Sequence, residues 1–285
     1  MEGAKTQPKA AVFLHIQKTA GTSIVDLARE AYGSNEITSH GDFMLPPKHL
    51  DELLDARGTS PPNLLNRRFI SGHFGYDYAS HFMKQRYSFT FLRDPVERVL
   101  SFYYFCRQRA PQEYEIYSLA QRLTLDQFLL LGFERPSVKA CIWNNQTWQL
   151  ANGYGHTNGR NILSYEPDEM LALAMLHLNF FSYVGFAENF EADRDNILRD
   201  LGIQPPCTKV VSNANPSRPT AKNLPPGTRR LLADLTQLDQ ALYEAAWAQR
   251  RPDQTAGNSV EGASAQQQLS RQRSIFQRLR RRFAP

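Results

Sequence analysis

Apolar residues recur along this chain in two ways, as short unbroken runs and as longer stretches with a helical period. Ala11-Val-Phe-Leu-His15 is the first short run, and its continuity predicts a strand buried on both faces. A polar loop separates it from Ser23–Tyr32, where Ile24, Leu27, Ala28 and Ala31 repeat at i, i+3, i+4 and i+7 and predict a helix. Arg68–Ser71 and Ser88–Leu92 predict a second and a third strand. The third runs into Arg93-Asp94-Pro95, where Asp94 suits a helix cap, Pro95 the first helical position and Glu97 a capping-box partner. That helix is expected to reach about Arg109.

Further helices are expected at 124–131, 137–151 and 167–179, then a strand at 181–186 and a helix from Asn189 to Leu201 stopped by Gly202. Between Pro226 and Arg250, Leu231, Leu235, Leu238, Leu242 and Ala245 mark one face of a single long helix. Strands alternating with helices predict an α/β fold, a parallel central sheet flanked by helices. Residues 1–251 form one expected domain. Residues 252–270, rich in Gln, Ser, Ala, Gly and Asn, read as a flexible linker. In 271–285, Ile275, Phe276, Leu279 and Phe283 fall on one helical face among arginines, a basic amphipathic tail.

Charge changes this picture only at the end of the chain. Of the net +5 carried by 285 residues, four charges belong to 252–285, where six arginines face Asp253 and Glu261. A nearly neutral body argues against a nucleic-acid partner, while the tail fits peripheral contact with a membrane. No run approaches the 18 apolar residues of a membrane span, and Met1–Lys9 is polar, so a cytoplasmic protein is expected. Cys106, Cys141 and Cys207 lack the spacing of a zinc or redox pair and read as free thiols.

The chemistry concentrates in His15-Ile-Gln-Lys18-Thr19-Ala20-Gly21-Thr22-Ser23, between a strand and a helix start. Free N–H groups and the positive dipole end of a helix favour an anion there, and Lys18, Thr22 and Ser23 add donors. The order differs from Gly-x-x-x-x-Gly-Lys-Ser/Thr, because the lysine precedes the glycine. An ordinary strand-to-helix turn also fits this loop taken alone. Arg93, at the end of the third strand, and Ser101, two turns into the next helix, supply groups for a second phosphate.

Phe13–Ser23 and Phe91–Ser101 together resemble the two nucleotide signatures of the carbohydrate sulfotransferases, with the heparan sulfate 2-O- and 6-O-sulfotransferases nearest in pattern. The resemblance implies a P-loop-NTPase-like sulfotransferase architecture and 3′-phosphoadenosine 5′-phosphosulfate (PAPS) as co-substrate, without a metal. Lys18, Thr19, Ala20, Gly21, Thr22 and Ser23 would wrap the 5′-phosphosulfate, and Arg93 and Ser101 would hold the 3′-phosphate. Asn144–Ala151 is similar to the family's Asn-x-Gln-Thr helix, Lys209–Ser217 to its late nucleotide-side loop, which adds Ser217, and Leu235–Tyr243 to its closing helix. Trp148 stands where some relatives have arginine, so an acidic-sugar contact there is not implied. The implied acceptor is a hydroxyl of a carbohydrate or glycolipid.

Sulfuryl transfer needs a base for the acceptor hydroxyl and charge stabilisation for the leaving oxygen. His73, in Ser71-Gly-His-Phe-Gly75, lies at a strand end where the 2-O-type relatives carry a catalytic histidine, and Lys18 would stabilise the leaving group. His81 is the fallback base, and His15 is expected to support the loop. Phe74, Tyr76, Tyr78 and Trp148 offer faces for sugar stacking or for core packing. Two other classes compete with this reading. One is a nucleotide-dependent kinase or NTPase, with Asp94 as magnesium carboxylate; the other is a non-catalytic protein that binds membranes or acidic polymers through its tail.

Overall fold

A computed structural model describes residues 7–39, 67–152, 166–206 and 219–250. Five parallel strands, β1 (Ala11–Leu14), β2 (Ile37–Thr38), β3 (Phe69–Gly72), β4 (Tyr87–Leu92) and β5 (Tyr183–Phe186), form one sheet in the order β2-β3-β1-β4-β5. Val12 lies opposite Ile70 on one side and Ser88 on the other. Helices flank the sheet in the α/β arrangement that the sequence pattern predicts, consistent with the P-loop-NTPase-like architecture that the resemblance implies. The chain leaves β1 toward β2 and β3 and later crosses to β4 and β5 on the other side, so the order reverses around β1. Loops leaving the carboxyl ends of strands at such a point diverge and leave a crevice.

Alternation along the strands sorts the core. Phe13, Phe69, Phe89 and Phe91 share one face, with Phe13 stacked on Phe89 at 4.6 Å and edge-on to Phe91. Helices α1 (Gly21–Tyr32) and α9 (Phe190–Leu201) close this face with Ile24, Val25, Ala28, Ile197 and Leu201. Fully burying each of the larger side chains among them contributes about 1.5–3 kcal/mol. A second core gathers around α3 (Pro95–Cys106), where Val99, Phe102, Tyr103 and Cys106 meet Phe128, Val138, Leu232 and Leu235. Those come from α5 (Leu125–Glu134), α6 (Pro136–Ile142) and α10 (Pro226–Leu235).

Several expected elements take a different form. Helix α2 (Tyr76–Met83), helix α4 (Glu115–Arg122) and the short β2 have no counterpart in the sequence reading, and α3 stops at Cys106. The expected helix 137–151 divides into α6 and α7 (Asn145–Ala151) at Asn144, which takes left-handed angles of φ 43° and ψ 42°. The expected helix 226–250 divides into α10 and α11 (Gln237–Gln249) at Thr236. The two breaks face each other. The Asn144 N–H donates to Leu235 O at 2.8 Å, and its side-chain oxygen accepts the N–H groups of Leu238 and Asp239.

By internal contacts the chain divides into Met1–Tyr243 and Glu244–Pro285. The described part of the second unit is Glu244–Arg250, the end of α11 and the residue after it. Among the described residues no helix is long and apolar enough to cross a membrane. Cys207, the linker and the tail lie outside the described residues.

Candidate functional site

Between β1 and α1 the backbone turns through positive φ at two non-glycine residues, Lys18 (67°) and Ala20 (73°). Left-handed angles cost an L-residue about 1–2 kcal/mol, so the surroundings must enforce them. The buried Thr19 contributes by donating its hydroxyl to Ile16 O at 2.8 Å. Alternation of positive and negative φ turns successive N–H groups toward one side, the geometry of an anion-binding concavity at a helix start. Gly21 has a further reason. A Cβ there would lie 2.2 Å from the His15 ring, so the close approach that requires glycine is to His15 itself. His15 is thereby packed under the helix start and stacks on Phe13, as a support for the loop.

The second signature reaches the first directly. Arg93 Nη1 donates to Lys18 O at 3.0 Å, across the crevice between β1 and β4. Asp94 caps α3 by accepting the Glu97 N–H at 2.9 Å, while its own N–H donates to Glu188. On α3, Glu97, Ser101 and Phe105 follow at four-residue intervals and so share a stripe. Phe105 lies under the Lys18 ammonium, 4.0 Å from ring centre to Nζ, and Glu97 accepts the Ala221 N–H at 3.1 Å. Ser101 is half-buried between them. Lys18, Arg93 and the Ser101 stripe are thus brought to one place, together with the exposed Thr22 and half-buried Ser23 at the head of α1. Ser217 lies outside the described residues.

His73 follows the last residue of β3 and sits 4.4 Å from His15, ring centre to ring centre. Its Nδ1 is 2.6 Å from His15 O. A carbonyl only accepts, so Nδ1 carries the hydrogen, and in the neutral ring Nε2 is left as the proton-accepting nitrogen. His81 is exposed on α2, beside Tyr76, Lys84 and Phe180. His177 donates Nδ1–H to Leu150 O and stacks on Tyr76 at 3.7 Å, and burial pushes its pKa down. Of the four aromatic residues with faces for a sugar, Phe74, Tyr78 and Trp148 are buried core; Tyr76 is partly exposed. His40, His49 and His156 lie outside the described residues. Among the described residues no three His, Cys, Asp or Glu side chains gather into a metal-binding cluster.

Two residues that sequence reasoning passed over tie these parts together from α7. Gln146, fully buried, accepts the Arg93 N–H and donates to Arg93 O, both at 2.9 Å, pairing with that residue as a neighbouring strand would. Gln149, also fully buried, donates to Phe74 O at 2.9 Å and to His15 O at 3.2 Å. Gln146 falls within the Asn-x-Gln-Thr stretch and Gln149 two residues beyond it, but nothing in that stretch marks what either glutamine does.

The sequence model of the sulfotransferase family matches residues 6–244, from just before β1 into α11. The chain belongs to the sulfotransferase family. A search among curated proteins finds no significant match. As a sulfotransferase the protein catalyses transfer of a sulfuryl group to an acceptor. The family match runs through the site described above, from the Lys18 loop to Gln146 and Gln149 of α7.

Proposed function

We propose that this sulfotransferase takes the sulfuryl group from PAPS and delivers it to a hydroxyl of a carbohydrate or glycoconjugate, like the heparan sulfate enzymes whose signatures it resembles. The observation that carries this reading is the hydrogen bond from Arg93 to Lys18 O, which joins an anion-binding loop to a second cationic group. A donor with phosphate at both its 3′ and 5′ positions needs such a pair. The donor set fits: backbone N–H groups of residues 18–23, the Lys18 ammonium and the Arg93 guanidinium. Lys18, Thr19, Ala20, Gly21, Thr22 and Ser23 take the 5′-phosphosulfate, Arg93 and Ser101 take the 3′-phosphate, and Ser217 is a further residue on the nucleotide.

His73 Nε2 accepts the proton of the attacking hydroxyl as its oxygen bonds to sulfur. The bond from sulfur to the bridging oxygen breaks, and its electron pair stays with the 5′-phosphate, where Lys18 offsets the growing charge. 3′-Phosphoadenosine 5′-phosphate (PAP) leaves. A kinase reading is weaker because the Asp94 carboxylate serves as the α3 cap and Lys18 precedes Gly21.

Incubation with radiolabelled PAPS and a panel of glycans, native chain against His73→Ala, tests the whole reading. The native protein should label a glycan, and the variant should bind PAP normally but turn over roughly 10²–10⁴-fold more slowly. Labelling of no glycan by an otherwise active enzyme would remove the carbohydrate acceptor. The proposal extends to a cytoplasmic enzyme held at a membrane by 271–285. Sedimentation of the full chain with anionic vesicles, lost when the chain ends at Arg251, is the expected result.

A further inference from the structure

From the geometry we infer that Gln149 is a positioning residue for His73: it holds the two carbonyls that flank the histidine and thereby keeps the imidazole proton on Nδ1. This rests on the reading of His73 as the proton acceptor. Both neighbours of the Gln149 amide group, His15 O and Phe74 O, are pure acceptors, so the NH2 end must face them and the orientation of the amide is fixed. His15 O then receives two donors, Gln149 Nε2–H and His73 Nδ1–H, one for each lone pair. Phe74 is the residue directly after His73.

The amide thus fixes the backbone on the far side of the ring and the acceptor on its near side. Its position is rigid, because Gln149 is fully buried and α7 is held at its start by Asp239, which accepts from Gln146 N, Thr147 N and Thr147 Oγ1. A hydrogen on Nε2 would place the Nδ1 lone pair against the His15 carbonyl at 2.6 Å, lone pair facing lone pair. Only while His15 O stays where Gln149 holds it is that tautomer excluded. A base that presents N–H instead of a lone pair to the acceptor hydroxyl cannot take its proton.

The test uses the full chain labelled with ¹⁵N-histidine, with His73 assigned by its loss in His73→Asn. Two-bond proton–nitrogen spectra should show the native His73 with hydrogen on Nδ1 and a bare Nε2. Gln149→Met, which keeps volume and removes both donors, should show mixed tautomers, with kcat lower by about 10–100-fold and PAP affinity unchanged. Gln149→Asn, one methylene shorter, should show the same mixture and serves if the methionine variant does not fold. A native His73 with its hydrogen on Nε2, or a folded variant with native tautomer, would overturn the inference. Full turnover by His73→Asn, with the native tautomer fixed and the Gln149 variants mixed, would sink the base role alone and leave the positioning intact.

Discussion

Asn144 and Asp239 cap each other's helices. The Asn144 side chain accepts the N–H groups of Leu238 and Asp239 at the start of α11, and the Asp239 carboxylate accepts those of Gln146 and Thr147 at the start of α7. Both residues are buried, and Asn144 holds a left-handed conformation to do it. Asn144→Ala loses the cap, about 0.5–2 kcal/mol, and keeps a left-handed residue at about 1–2 kcal/mol more. Asn144→Gly loses the cap alone. Urea unfolding should therefore rank native above Gly above Ala; an alanine variant as stable as the glycine one would refute the conformational part of the account.

Nucleotide discrimination should depend on Arg93. If the guanidinium holds the 3′-phosphate, PAP binds more tightly than AMP by about 1.5–3 kcal/mol, the worth of a charge-assisted contact. Arg93→Ala should erase most of that preference in calorimetry. Equal affinities in the native protein would remove Arg93 and Ser101 from the donor site.

Gly21→Ala tests the support beneath the loop. The new methyl carbon meets His15 at 2.2 Å, and the ring has little room to move between Phe13 and His73. The start of α1 must shift, with about 1–3 kcal/mol lost in stability. PAP affinity should fall with it, and native affinity in the variant would show that the helix start does not hold the nucleotide.

Acid should loosen the contact between α7 and α8 (Pro167–Leu178). Burial lowers the His177 pKa in the fold, opposed by the hydrogen bond to Leu150 O and by Asp77. The unfolded chain therefore takes up a proton first as pH falls below about 6.5, and stability drops from there toward the folded-state pKa. Above that window the group contributes no slope. Unfolding free energies measured from pH 8 to pH 5 should fall for the native protein, and His177→Gln should flatten the decline.

What the sequence made legible was local. The run at Ala11–Leu14, the Asp94-Pro95 cap and the Gly202 stop each carry their signal within a few residues, and each appears in the structure where the pattern puts it, α9 beginning at Phe190, one residue late. Helix α2 begins at Tyr76, preceded by Gly75, which has no capping side chain, and so gave no start signal. The breaks at Asn144 and Thr236 are enforced by partners more than ninety positions away, and Trp143 and Thr236 by themselves would continue a helix. In the site, loop and arginine were legible from residue type at a strand end. Gln146 and Gln149 were not, because a buried glutamine acquires meaning only from the carbonyl and N–H groups that fold around it.

That long-range bracing sets the order in which a growing chain becomes an enzyme. Lys18, His73 and Arg93 are all synthesised within the first third of the chain, and the helix that aligns them follows by residue 151. Its cap is Asp239, 93 positions after Gln146. Closing so distant a contact comes late, after the local elements have formed. A nascent or prematurely terminated chain that stops before Asp239 thus displays the reactive groups without the clasp that sets their spacing, and competence waits for Asp239 to arrive.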